Sequence, residues 1–229
     1  KLKPKDEVII PACTFVACAN VVEMTGAKVV FADIDPKTKL MDLNDCLKKI
    51  SKNTKVIMPV HLYGSLFNTY KLRKKIRKNI FIIEDSAHAF CGEYNNNPLG
   101  KFSDFTVFSF YATKSITCGE GGAIITNHKS YSDKIRSISN NGMTKPAFKR
   151  FVNNKYIPWD VYNYGFKSNL SDINASILVD QIKEYSKIAK QKKIIFKKFK
   201  KELSKIPQIS FPTEKPNKNR DYYLFPIGV

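Results

Sequence analysis

The chain has 229 residues and carries 39 Lys and Arg against 20 Asp and Glu, a net charge of +19. Hydrophobic residues at 43%, with 12% aromatic, suffice for a packed core and exclude global disorder. No apolar run approaches the ~20 residues of a membrane span, and Lys1 to Glu7 lack the apolar stretch of a signal peptide.

The charge excess is lysine: only Arg73, Arg77, Arg136, Arg150 and Arg220 are arginines. Nucleic-acid recognition favours arginine for bidentate and stacking contacts, so composition alone does not indicate a DNA or RNA binder. Much of the excess lies between Lys183 and Lys205, where Ile188, Ile195, Phe199, Leu203 and Ile206 recur at helical spacing. That pattern predicts an amphipathic helix with a solvated lysine face. Cys13, Cys18, Cys46, Cys91 and Cys118 are scattered, with no C-x-x-C pair. This usage fits a reducing cytoplasm and argues against a disulfide framework. His88 and Cys91 lack a second ligand pair at zinc spacing, so no metal site is expected.

In chain order, strands are predicted at Val8–Ile10, Lys28–Asp35, Lys55–Tyr63, Asn79–Asp85, Phe105–Phe110 and Ala123–Thr126. Helices are predicted at Thr14–Met24, Asp42–Ile50 with Asp42 as N-cap, Asn68–Lys78 and Ser130–Ser139, then from Asp172 with Ser171 as cap. Several strands are continuous apolar runs, the pattern of strands covered by helices on both faces. Regular strand–helix alternation therefore predicts an open, mostly parallel α/β sheet. The stretch from Asn141 to Phe166 is polar, aromatic (Phe148, Phe151, Tyr156, Trp159, Tyr162, Tyr164) and aperiodic, so it reads as a functional or interface loop. After Pro207 the chain passes Pro212 and Pro216 to a β-type run at Tyr222–Ile227, read as the start of a second domain. The first residue is not Met and the last lie within an apolar run, so both ends are expected to be cut from a longer protein.

In open α/β sheets, ligands bind beyond the carboxyl ends of the strands. Three such ends carry chemistry here. Glu84-Asp85-Ser86-Ala87-His88 comes directly after a buried strand, where a carboxylate needs a compensating partner; a helix N-cap is the ordinary alternative for Asp85. Ser109 to Lys114 comes after Phe105–Phe108 and brings a lysine to a similar level. Cys118-Gly119-Glu120-Gly121-Gly122 fails both the G-x-G-x-x-G fingerprint and the Walker pattern, so tight-turn geometry accounts for its glycines.

Taken together, SFYATKSITCGEGGAIITN (109–127), EDSAHAFCG (84–92) and YNYGFKSNLSDINASIL (162–178) resemble the DegT/StrS-type family of sugar aminotransferases. DEVIIPACTFVACAN (6–20), GAKVVFADID (26–35) and VIMPVHLYG (56–64) occur in the same order and spacing, so the resemblance runs from Asp6 to about Leu203. It implies the fold type I of transferases dependent on pyridoxal 5'-phosphate (PLP): a mostly parallel sheet sandwiched by helices. The implied divisions are a PLP-binding large domain over 1–170 whose N-terminal part is missing, a connecting helix over 171–206, and the start of a truncated α+β small domain over 207–229. Lys114 matches the lysine that joins the cofactor aldehyde and shuttles its proton, and Asp85 the carboxylate that keeps the pyridine nitrogen protonated. His88 matches a position near the ring's O3′ or the substrate, with a structural histidine as the alternative. Phe15 matches the aromatic that stacks on the ring, with a core aromatic as the alternative. Ser109 matches a phosphate ligand, and Asn169 a residue that reaches the phosphate of a neighbouring subunit in a homodimer.

Relatives carry a Gly-Ser/Thr-x-Ala phosphate cradle before the Asp6 region, which is not in this sequence. Retention of Lys114 separates the chain from members that carry histidine there and dehydrate. The expected activity is transfer of an amino group, with glutamate as donor, to the keto group of a nucleotide-linked deoxysugar in surface polysaccharide, glycan or amino-sugar biosynthesis. Two readings stand beside it: a non-catalytic PLP-binding regulator on the same fold, and a lysine-rich nucleic-acid binder.

Overall fold

The computed structural model describes residues 1–94, 96–144, 151–153, 155–158, 160–161, 163–213 and 220–229. Its centre is a six-stranded sheet built from β1 (Glu7–Pro11), β2 (Lys28–Ala32), β3 (Thr54–Ile57), β4 (Phe81–Asp85), β7 (Phe105–Ser109) and β8 (Gly122–Ile125). The strand order is β2-β1-β3-β4-β7-β8. All neighbours are parallel except β7 and β8, which pair antiparallel. This bears out the mostly parallel α/β sheet expected from the alternation. Two short strands, β5 (Glu93–Tyr94) and β6 (Asn97–Pro98), form a separate hairpin between β4 and β7.

The helices are α1 (Ala17–Glu23), α2 (Leu43–Lys48), α3 (Thr69–Lys75), α4 (Lys129–Ile138) and α5 (Asp172–Leu203). Three begin at side chains that satisfy an otherwise unpaired amide of the first turn. Asp42 accepts from the Asp45 amide, Asn68 from Lys71 and Ser171 from Asn174. The main core joins Ile9, Ile57 and Ile82 of the sheet to Val22, Cys46 and Leu72 of the first three helices. Burial of a side chain the size of Leu72 contributes about 1.5–3 kcal/mol. A second cluster, Phe110, Ile116, Cys118 and Leu178, ties the loop after β7 to α5, with Tyr185 packed against it. That cluster positions the lysine loop.

Three expectations are revised. The stripe of α5 that packs inward includes Tyr185, Ile188, Lys192 and Phe196, whereas Ile195, Phe199 and Ile206 are exposed. One lysine of the expected solvated face therefore points into the protein. The 141–166 stretch contains a hairpin of β9 (Phe151–Val152) and β10 (Lys155–Tyr156), closed by bridges Met143↔Val161 and Asn140↔Lys167. Phe148, Trp159 and Tyr162 lie outside the described residues. Tyr222–Ile227 forms no strand among the described residues, and Ser210↔Gly228 is an isolated bridge. Its aromatics dock sideways instead: the Tyr222 and Phe225 rings lie 5.0 and 4.7 Å from Phe196 of α5. Side-chain burial against a helix replaces the ladder bonds of a strand.

Candidate active site

β4 and β7 lie side by side and parallel, with Asp85 paired to Val107. Their carboxyl ends therefore open on the same edge of the sheet. In β4 successive side chains alternate between faces, so the adjacent carboxylates Glu84 and Asp85 have separate surroundings.

Glu84 is 2% exposed. Its Oε2 accepts from the Gly100 amide (2.8 Å), the Ser103 hydroxyl (3.0 Å) and the Thr106 hydroxyl (2.9 Å). His61 Nε2 lies 3.7 Å from the other oxygen. His61 Nδ1 accepts from the Phe67 amide, so the ring is the neutral Nε2–H tautomer with its N–H toward Glu84. Burial alone would raise the Glu84 carboxyl, but the His61 N–H and the hydroxyl donors outweigh it and hold it below the ordinary carboxylate range. The ionised form stabilises the fold. Its contribution is complete above the ordinary value of 4.5 and is lost as pH falls below it. An acid titration of melting temperature is expected to show a loss over that window that Glu84→Gln no longer shows. Glu84 is thus a structural carboxylate.

Asp85 is half-buried at the strand end. Its Oδ1 accepts from the Ala87 amide at 2.9 Å, and its Oδ2 from the Cys18 thiol at 3.2 Å. No helix starts here among the described residues, so the N-cap alternative is removed. Burial, then the Asp85 charge, push the Cys18 thiol up to about 12, so it remains a donor. Sequence reasoning misses Cys18, because a scattered cysteine carries no pattern.

Phe15 sits one turn before Cys18, whose amide bonds to the Phe15 carbonyl. It is 67% exposed, which excludes the core-aromatic alternative, and its backbone is joined to this edge through Cys18, the thiol donor to Asp85. Ser109 ends β7; its hydroxyl accepts from the Tyr111 amide at 3.3 Å and keeps a proton to donate. Lys114 lies beyond it on a loop closed by Cys118 N–H to the Phe110 carbonyl and Phe110 N–H to the Gly121 carbonyl. Gly121 belongs to packing: a Cβ there would meet Cys118 Sγ at 2.6 Å and Leu170 at 2.9 Å.

The structure also brings an unpredicted residue to this edge. The Tyr223 ring centre lies 4.5 Å from that of His88 and 4.9 Å from Lys114 Nζ. His88 Nδ1 accepts from the Tyr63 amide at 3.3 Å, leaving Nε2–H as its donor. Burial, aided by the Lys114 charge and opposed by Asp85, lowers His88 to about 4, so the imidazole is neutral at pH 7. Asn169 lies apart on the exposed segment before α5, where its side-chain oxygen accepts from Lys167 Nζ at 2.7 Å. A separate cavity of about 560 Å³, lined by Lys1, Lys55, Phe81, Phe105 and Tyr131, includes none of these residues. It holds none of the residues that meet at the strand ends, so the chemistry points to the Asp85–Lys114 edge.

The family model for DegT/DnrJ/EryC1/StrS aminotransferases matches residues 1–229. The chain belongs to this family. Among relatives, the spore coat polysaccharide biosynthesis protein SpsC of Bacillus subtilis is 33% identical over 227 residues, covering 99% of this chain and 58% of that protein. GDP-perosamine synthase of Escherichia coli O157:H7 is 34% identical over 206 residues, covering 89% and 54%. Spr1654 of Streptococcus pneumoniae, 28% identical, superposes in its PMP-form with a TM-score of 0.87 over 98% of this chain and 62% of its own. Its PLP-form gives 0.83, covering 98% and 60%. The chain thus spans about 54 to 62% of the lengths of these family members. Among the described residues, no helix is long and apolar enough to cross a membrane.

Proposed function

We propose that the full-length protein is a PLP-dependent aminotransferase that moves an amino group from glutamate to the keto group of a nucleotide-linked deoxysugar, in polysaccharide or amino-sugar biosynthesis. The observation that carries this is the meeting of a carboxylate, a neutral imidazole and a primary amine where two parallel strands end, in a chain of this family. The names of SpsC and GDP-perosamine synthase support the substrate class. The PLP-form of Spr1654 supports the cofactor.

The residues suit PLP. Asp85 is a carboxyl group at a strand end that accepts from an amide and a thiol, and among the described residues no cation forms an ion pair with it. Lys114 Nζ lies over an aromatic face. Bound here, PLP supplies an electron sink that makes the carbon bearing the amino group acidic. Asp85 would hold a proton on the ring nitrogen. Lys114 would anchor the cofactor and then carry a proton on Nζ between donor and acceptor carbons. His88 Nε2–H would donate to an oxygen of the ring or substrate, Ser109 would hold the phosphate, Asn169 would reach the phosphate of the neighbouring subunit in a homodimer, and Phe15 would cover the ring.

The exposed apolar side chains Phe15, Val16, Val21 and Met24 of the α1 region, with Ile173 and Ile177 of α5, favour a homodimer. The basic surface would attract a diphosphate-linked substrate. The test is turnover by the full-length protein supplied with PLP, glutamate and a panel of nucleotide-linked ketosugars. Formation of amino sugar with matching 2-oxoglutarate is expected. Bound PLP without turnover across the panel would instead favour a regulator.

A further inference from the structure

Residues 220–225 close the site from a third side, and one buried carboxylate seats them. Asp221 is 2% exposed. Its Oδ1 accepts from the Ser115 hydroxyl at 2.8 Å and its Oδ2 from the Phe90 amide at 3.1 Å. Ser115 is the neighbour of Lys114, and Phe90 lies on the turn that carries His88. Each arm is reinforced from α5. Lys192 Nζ donates to the Ser115 hydroxyl at 3.0 Å, and the Tyr185 hydroxyl donates to the Phe90 carbonyl at 2.7 Å.

The backbone fit is equally demanding. Gly64 has φ +84°, and a Cβ there would stand 1.7 Å from the Asp221 carbonyl oxygen. Glycine is required for the chain to pass at that distance. The result is the placement of Tyr223, with its ring against His88 and Lys114 and its hydroxyl 3.3 Å from that of Thr113. Burying a carboxylate is costly unless its lone pairs are filled. A segment that merely continued the chain beyond α5 would not need a buried carboxylate here.

We propose that Asp221 is a positioning residue of the active site: by holding the Phe90 amide and the Ser115 hydroxyl together, it fixes the His88 turn against the Lys114 loop and seats the Tyr223 ring on both side chains. The meaning of His88 and Lys114 rests on the proposed aminotransferase function, whereas the geometry does not. The groups facing His88 are the Lys114 ammonium, the Asp85 carboxylate, the Tyr223 ring and the Tyr63 amide, whose own carbonyl accepts from Arg220 at 3.4 Å. Lifting the ring would rehydrate the imidazole and relieve the burial that depresses it. Relief of desolvation raises a histidine pKa, here from about 4 toward the ordinary 6.5.

The test is an NMR titration of ¹³C-labelled histidine in the full-length apoprotein, with His88 assigned through His88→Gln. Asp221→Ala and Tyr223→Ala are both expected to raise the His88 midpoint by at least about one pH unit. Tyr223→Phe, which keeps the ring, is expected to leave it in place. An unchanged midpoint in either alanine variant, folded by circular dichroism and a cooperative melt, overturns the proposal. Should Asp221→Ala fail to fold, Tyr223→Ala decides by the same criterion. Because no cofactor or substrate is present, the outcome is independent of whether the protein transaminates.

Discussion

Replacing Lys114 by alanine in the full-length protein is expected to lower transamination by about 10³-fold or more, with the fold intact. A positioned proton-transfer group contributes about 10²–10⁴-fold by itself, and Lys114 is assigned cofactor anchoring as well. Its loop is held by Phe110, Ile116 and Cys118, all buried, and by backbone bonds that do not involve the ammonium. Among the described residues, Nζ packs over the Tyr223 ring. Loss of such an exposed-edge cation–π contact costs about 0.5–1 kcal/mol. The melting temperature should therefore fall by only a few degrees. A small primary amine added to the solution should restore part of the rate. Steady-state assay with calorimetry checks both halves, and a variant retaining more than a tenth of the activity would contradict the assignment.

Glu84→Ala is expected to do the reverse, striking stability first. The variant strands the Gly100 amide and leaves the Ser103 and Thr106 hydroxyls, 2.9 Å apart, with only each other. It also removes the group facing His61 Nε2. Each buried donor left unpaired costs about 1–3 kcal/mol, so a total of about 3–5 kcal/mol is expected. That corresponds to a melting temperature lower by about 10 °C. Glu84→Gln keeps one oxygen for these donors and should lose less than half as much. Equal losses in the two variants would mean that side-chain packing, not acceptance of these bonds, matters at this position.

The contrast between Glu84 and Asp85 shows how far the sequence carries. Both end the same apolar run, and the period of two along a strand already separates their faces. What the run cannot tell is which face meets Ser103 and Thr106 and which meets Cys18. That depends on β7 lying next to β4, a pairing fixed only in three dimensions. The alternation of strands and helices, and the caps at Asp42 and Ser171, are legible because they are written within a few residues. Lys114 is legible through a local motif. Asp221 is not: its bond to Ser115 spans 106 positions, and it sits between a Pro-rich stretch and an aromatic run. Lys192 is hidden more thoroughly. Ten lysines between 183 and 205 give the impression of a solvated face, and nothing local distinguishes the one whose ammonium reaches Ser115. The same uniformity displaces the predicted inward stripe of α5, since Ile195 and Phe199 obey helical spacing as well as Tyr185 and Phe196 do.

Everything proposed for the catalytic chemistry depends on Lys114 being where this protein holds its cofactor. The decisive measurement is borohydride reduction of the full-length protein loaded with PLP, then proteolysis and mass spectrometry of the labelled peptide. One stable phosphopyridoxyl group per chain is expected, on Lys114, and none in Lys114→Ala. A label on another lysine in the native protein, or the same stoichiometric label in the variant, would contradict the assignment.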